Sequence, residues 1–202
     1  MNPSATLPRP TLPLVHRAVA LGWLALAIAL GASGAYAAVR PLVPGLFAVA
    51  VASTLLAWRR SPALRAWSDA LDLRGPILFH VVRVGFGALF LVELAAGRLP
   101  AYFAEKAGIG DIIAGALALV AALAAGRTPL TRVRRAVVLV WCLFGLVDIL
   151  TVLVTAQYGF LVLGDLQIAA TLGRLPYALL PTVVVPLVVL SHLLVLQRLR
   201  AA

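Results

Sequence analysis

Five ionisable residues stand inside stretches otherwise apolar enough to cross a lipid bilayer. His80, Arg83 and Glu93 lie in "FHVVRVGFGALFLVE" (79–93), Asp148 in "GLVDIL" (145–150) and His192 in "LSHLL" (190–194). Such groups are costly in hydrocarbon, so they face the bundle interior or a wet cavity and mark ion, proton or substrate pathways. His80, Arg83, Gly87 and Phe90 follow helical i, i+3, i+7 spacing and predict one face. Glu93 is read off that face, near the outer end, with headgroups or Arg98 as its company. Trp141, Phe144, Asp148, Thr151 and Thr155 predict an inward stripe centred on Asp148. An arginine keeps its proton, and a lone buried charge is strongly destabilising, so Asp148 is the expected counter-ion of Arg83.

The elements that must position these groups are membrane helices. The chain of 202 residues is 63% hydrophobic and only 12% charged, with a mean hydropathy of +1.05. Long apolar blocks separated by short basic loops exclude a soluble domain and a strand-alternating barrel. The fold class expected is an all-α polytopic bundle of about six transmembrane helices. The spans fall near Ala18–Val39, Leu42–Trp58, Ile77–Ala96, Ile109–Ala125, Ala136–Ala156 and Leu180–Leu196. Residues 1–17, rich in proline, read as a loose cytoplasmic tail, and residues 18–202 as one bundle. Phe160–Leu172 reads as an interfacial helix. Pro41 and Pro44 predict an irregular start to the second span. A competing reading takes Ala18–Leu30 as a signal-peptide core with Ala35-Tyr36-Ala37 as its cleavage site.

The net charge of +10 does not point to nucleic acid, because the arginines end apolar blocks instead of lining one face. Of 17 Lys and Arg, one set comprises Arg9, Arg17, Arg59, Arg60, Arg65, Arg74, Arg127, Arg132, Arg134, Arg135, Arg198 and Arg200. The other comprises Arg40, Arg98, Lys106 and Arg174, and Arg83 belongs to neither. The positive-inside rule then puts both termini in the cytoplasm of an inner-membrane protein, in keeping with an even span number. On this orientation His80, Arg83 and His192 share the cytoplasmic half, about 6–10 Å in, and Asp148 lies near the middle. Glu93 and Asp111 lie toward the outside. Asp111, read at the mouth of the fourth span, is expected to cap its helix and offset its dipole.

Packing signals accompany these. Ala114, Ala118 and Ala122 form a small-residue stripe, Gly85 and Gly87 thin the third span, and Pro186 should kink the sixth, freeing a carbonyl one turn earlier. The single cysteine, Cys142, is read as a small packing residue.

"AGIGDIIAG" (107–115), "WCLFGLVDIL" (141–150) and "LPYALLPTVVVPLVVLSHLL" (175–194) together resemble a group of small uncharacterised bacterial membrane proteins. In that group the tryptophan is often followed by asparagine, where this chain has Cys142. The resemblance implies a bacterial inner-membrane protein and supplies no activity. No metalloprotease, phosphate-loop, nucleophile-elbow or dinucleotide motif is present, so a non-enzymatic reading is favoured and any chemistry must occur in the bundle or at its mouths. Three functions remain: a small transporter or channel-like protein; an accessory or scaffold subunit partnered by another membrane protein or a second copy; and a haem b carrier with His80 and His192 as axial ligands. No cofactor is expected outside the haem reading, and the lipid bilayer surrounds the bundle in all three.

Overall fold

The computed structural model describes residues 11–39, 42–126 and 130–201. Residues 1–10 of the expected tail, with Arg40, Pro41 and Arg127, lie outside the described residues. Among the described residues every regular element is helical, and six helical stretches are long and apolar enough to cross a membrane. They are Leu14–Ala32, Leu42–Arg60, Arg74–Ala95, Ala101–Ala125, Arg132–Leu161 and Leu180–Arg200.

The local chemistry explains where these depart from expectation. Helix α1 (Leu14–Ala32) starts inside the expected tail and stops short of Val39. It ends because Gly34 turns left-handed, at φ 73°, and the chain folds back through α2 (Ala35–Ala38). The Tyr36 hydroxyl then donates to the Ala27 carbonyl at 3.0 Å. Helix α3 (Leu42–Arg60) takes Pro44 in its first turn, where a missing N–H leaves no helical bond unmade. Helix α4 (Pro62–Ala70) is amphipathic, and its Ser61 cap accepts from the Leu64 amide at 3.2 Å.

The third stretch is two helices, α5 (Arg74–Phe79) and α6 (Val82–Ala95). Between them the amides of His80, Val81, Arg83 and Val84 bond three residues back, a tightened turn that interrupts the α-pattern at His80. Helix α7 (Ala101–Ala125) begins after Pro100, eight residues before the expected Ile109. Helix α8 (Arg132–Leu161) absorbs the first residues of the expected interfacial helix, leaving α9 (Gln167–Leu172) as a short remainder. The sixth stretch opens as a π-helical turn, Leu180–Val184, and continues as α10 (Val185–Ala201). Pro186 has no N–H for the Thr182 carbonyl, and that carbonyl accepts the Trp23 indole N–H of α1 at 2.8 Å. The carbonyl freed one turn before Pro186 is therefore present and occupied.

Helix α7 runs between α5–α6 on one side and α8 on the other, α10 lies against α8 and α5, and α3 covers α10 and the π-turn. At one end Arg198 donates to the carbonyls of Ser68 and Leu71, and Arg135 to that of Leu199. At the other, Tyr177 meets Glu93 and Tyr102 meets Asp165. The six long stretches alternate in direction between this arginine-rich end and its opposite. Ala114, Ala118 and Ala122 are all buried on α7, as their spacing predicted.

The α6–α7 crossing is set by glycine. A Cβ on Gly87 would lie 2.5 Å from the Gly108 carbonyl, and one on Gly115 would lie 2.8 Å from Val84 and 3.0 Å from the His80 carbonyl. Gly85, in contrast, has nothing within 4 Å, so only one of the two expected glycines thins the helix. Gly87→Ala should lower stability by about 1–3 kcal/mol through overpacking, whereas Gly85→Ala should leave it unchanged or slightly improved. Thermal melting of the detergent-purified variants, followed by size-exclusion retention, measures the difference.

Candidate functional site

The inward face of α6 carries Arg83, Gly87, Phe90 and Glu93, all buried. Arg83 is 2% exposed, and its guanidinium is divided among three acceptors. Nε donates to Asp111 Oδ1 at 2.6 Å, Nη2 to the Asp148 carboxylate, and Nη1 to the Gly145 carbonyl at 3.3 Å. The expected Arg83–Asp148 pair is thus formed, and Asp111 is an unexpected second partner. Asp111 caps nothing: α7 begins at Ala101, so this residue lies between two and three turns into the helix and is itself buried. Its membership was visible in the run Ala104, Ala107, Asp111, Ala114 and Ala118, whose small members share its face.

Two glycines make room for the cluster. A Cβ on Gly110 would run into the Asp148 carboxylate, which occupies that space. One on Gly145 would lie 2.7–2.8 Å from the His192 ring and 3.3 Å from Arg83 Nη1. The buried side of α8 therefore runs through Trp141, Gly145, Ile149, Val152 and Thr155, with Asp148 at its edge. Phe144 and Thr151, expected on the inward stripe, face outward, and Thr151 Oγ1 only returns to its own helix at Val147. The inward stripe is rotated from expectation because a glycine, with no side chain to signal its role, marks the closest approach.

His80 and His192 are fully buried beside this cluster. Their ring centroids are 4.2 Å apart, and Trp141 lies against both at 5.0 and 5.1 Å. The Trp141 indole donates to the Ala114 carbonyl at 3.0 Å. His80 Nε2 and Ser191 Oγ are 2.8 Å apart, and Cys142 Sγ lies 3.4 Å from His192 Nδ1. Cys142 thus touches a histidine as well as filling space. His80 Nδ1 and His192 Nε2 are buried without a hydrogen-bond partner. Axial ligation places a macrocycle between two imidazoles, and rings packed this closely leave no layer for one, so the pair does not fit haem. Among the described residues no group of three His, Cys, Asp or Glu side chains is placed to hold a metal ion.

A second polar cluster lies toward the opposite end. Glu93 is buried on the same α6 face as Phe90, three residues before it, and not off that face as expected. It accepts Nε and Nη2 of Arg98 and the Tyr177 hydroxyl, the last at 2.7 Å. The Arg98 pairing was expected. These bonds hold the Arg98 proton more firmly and push the Tyr177 phenol above its ordinary value, the hydrogen bond to Glu93 being the first cause in both. Between the two clusters Phe90 and Phe103 meet edge to face, 5.8 Å apart, among Leu99, Ala104 and Ala107. The interior therefore reads charge, aromatic layer, charge.

A family model described as a domain of unknown function (DUF8737) matches residues 40–200, so the chain belongs to that family. The matched stretch contains both polar clusters and leaves α1 and α2 outside. No curated protein and no solved structure matches the chain.

Removing Arg83 leaves the buried Asp111 and the half-buried Asp148 without their shared cation, so Arg83→Met should cost about 3–5 kcal/mol. The triple variant Arg83→Met, Asp111→Asn, Asp148→Asn should recover most of that loss, because no lone charge remains. Fluorescence-detected melting of the two variants against wild type tests this, and a triple variant no more stable than the single one would refute the charge argument.

Proposed function

We propose that this member of the DUF8737 family is a small inner-membrane transporter of bacterial origin that couples its cycle to a proton held at Arg83, Asp111 and Asp148. In this reading the six apolar helices cross the bilayer, with the arginine-rich end and both termini in the cytoplasm. The observation that carries it is the division of one guanidinium between two carboxylates. With both carboxylates ionised the buried group has one negative charge too many, and a proton is the smallest species that balances it.

The surroundings support proton traffic. Ser191, His80 and His192 lead from the cytoplasmic half toward Arg83 through a 2.8 Å contact and then two rings tilted against each other. Two imidazole nitrogens beside the cluster are buried without a hydrogen-bond partner. The Phe90–Phe103 layer separates this site from Glu93, Arg98 and Tyr177, as an occluded transporter requires on one side of its site. Asp148 is the release group, because its side chain is the more exposed of the two carboxylates.

A second reading, an accessory or scaffold subunit, is favoured by one observation. The clefts of about 490 and 560 Å³ that flank α3 are lined by none of Arg83, Asp111 and Asp148. In that case the cluster only fixes helix packing.

A pH jump across proteoliposomes adsorbed on a solid-supported electrode separates the two. Transport predicts a transient current from wild type that falls at least about tenfold in Asp148→Asn and in Asp111→Asn, with unchanged reconstitution. A scaffold predicts no current from wild type and co-purification with a larger membrane complex.

A further inference from the structure

The cleft on the arginine-rich side of α3 has the shape and polarity of a lipid site. It holds about 560 Å³ between the second half of α3, the amphipathic α4, the start of α5 and α10. Along α10 its wall extends from Leu187 to Gln197, about 15 Å of helix. The deep end is formed by Phe79, Leu187 and Leu190, and Leu64 and Leu71 close its side. Arg59, Trp58, Trp67 and Gln197 line its other end, and Thr54, Ser68 and Ser191 are its remaining polar residues.

The occupant follows from these dimensions. An extended acyl chain is narrow enough, and pockets of this volume suit ligands of that size. The charged groups nearby are largely committed. Arg65 donates to the carbonyls of Trp58 and Arg59, Arg198 to those of Ser68 and Leu71, and the Trp58 indole to Ser68 Oγ at 3.0 Å. Arg59 is the arginine that lines the cleft, and it is exposed at its mouth. An exposed arginine beside two tryptophans at the level of the headgroups suits an anion.

We propose that this cleft binds one anionic phospholipid of the cytoplasmic leaflet, with an acyl chain along α10 and the headgroup on Arg59. The inference rests on the membrane placement proposed above and on no step of transport. It also gives the cleft a route to the charged cluster. Ser191 forms part of its wall, and the hydroxyl of that residue is the one in contact with His80. A chain lying on Ser191 therefore borders the polar interior without entering it.

Native mass spectrometry of the full chain in mild detergent tests the site, titrating phosphatidylglycerol and phosphatidylcholine of identical chains. Wild type should take up one phosphatidylglycerol about fivefold more tightly than phosphatidylcholine. Arg59→Gln should bring the two affinities together, and Leu190→Trp, which fills the deep end, should remove the first adduct of both. Equal wild-type affinities, or unchanged uptake by Leu190→Trp, would overturn the proposal. If Leu190→Trp does not melt cooperatively, the rim variant Arg59→Gln decides alone, and a preference that survives it counts against the site. A chain that stays dispersed without detergent would instead remove the membrane placement, while a missing pH-jump current would remove only transport.

Discussion

A charged guanidinium is almost wholly buried in the bundle, and much of the bundle is arranged to satisfy it. Arg83 needs acceptors on several sides, and a single helix cannot supply them. Asp111 comes from α7, and Asp148 and the Gly145 carbonyl come from α8. Each acceptor needs its helix close, and closeness is purchased with missing side chains at Gly87, Gly108, Gly110, Gly115 and Gly145. A lone buried charge costs about 3–5 kcal/mol, a large part of the roughly 5–15 kcal/mol that holds a whole domain folded. The same cluster therefore limits where α6, α7 and α8 can lie.

The interruption at His80 belongs to the same constraint. A continuous α-helix would carry its hydrogen-bond pattern unbroken from Arg74 to Ala95. Instead three-residue bonds tighten the chain at His80 and Val81, and the His80 ring lies between Ser191, Trp141 and His192. Tightened turns within long helices mark places where local geometry yields to a site. Here the yielding residue is itself a member of the polar interior. The aromatic layer of Phe90 and Phe103 then closes that interior toward Glu93, so two charged regions share one helix face without touching.

How much of this was legible depended on whether the signal lay in a side chain or in its absence. Six apolar stretches, the Arg83–Asp148 pair, the Glu93–Arg98 pair and the buried alanines of α7 all follow from composition and period. Asp111 was misplaced because Gly108 and Gly110 read as the approach to a helix start at Ile109, whereas the helix already begins at Ala101, after Pro100. The stripe on α8 was rotated because Phe144 and Thr151 look more like interior residues than Gly145 does. The approach of His192 and Arg83 to Gly145 depends on which helices are neighbours, which spacing within one helix does not specify. Glu93 shows the opposite failing, since its three-residue step from Phe90 already put it on the inward face.

The sixth stretch shows how a backbone defect becomes a joint. Pro186 withholds one amide, and the preceding turn widens to a π-helix through Leu180–Val184. An unsatisfied carbonyl in an apolar interior costs about as much as a lost hydrogen bond, so Thr182 must find another donor. Trp23 of α1 supplies it, and the docking of α1 thereby depends on a proline in α10. The family match begins after α1, yet the helix is fastened to a residue within the matched stretch. The break that draws in α1 lies only two turns before Ser191 and His192. The π-turn therefore stands between the helix it fastens and the polar interior.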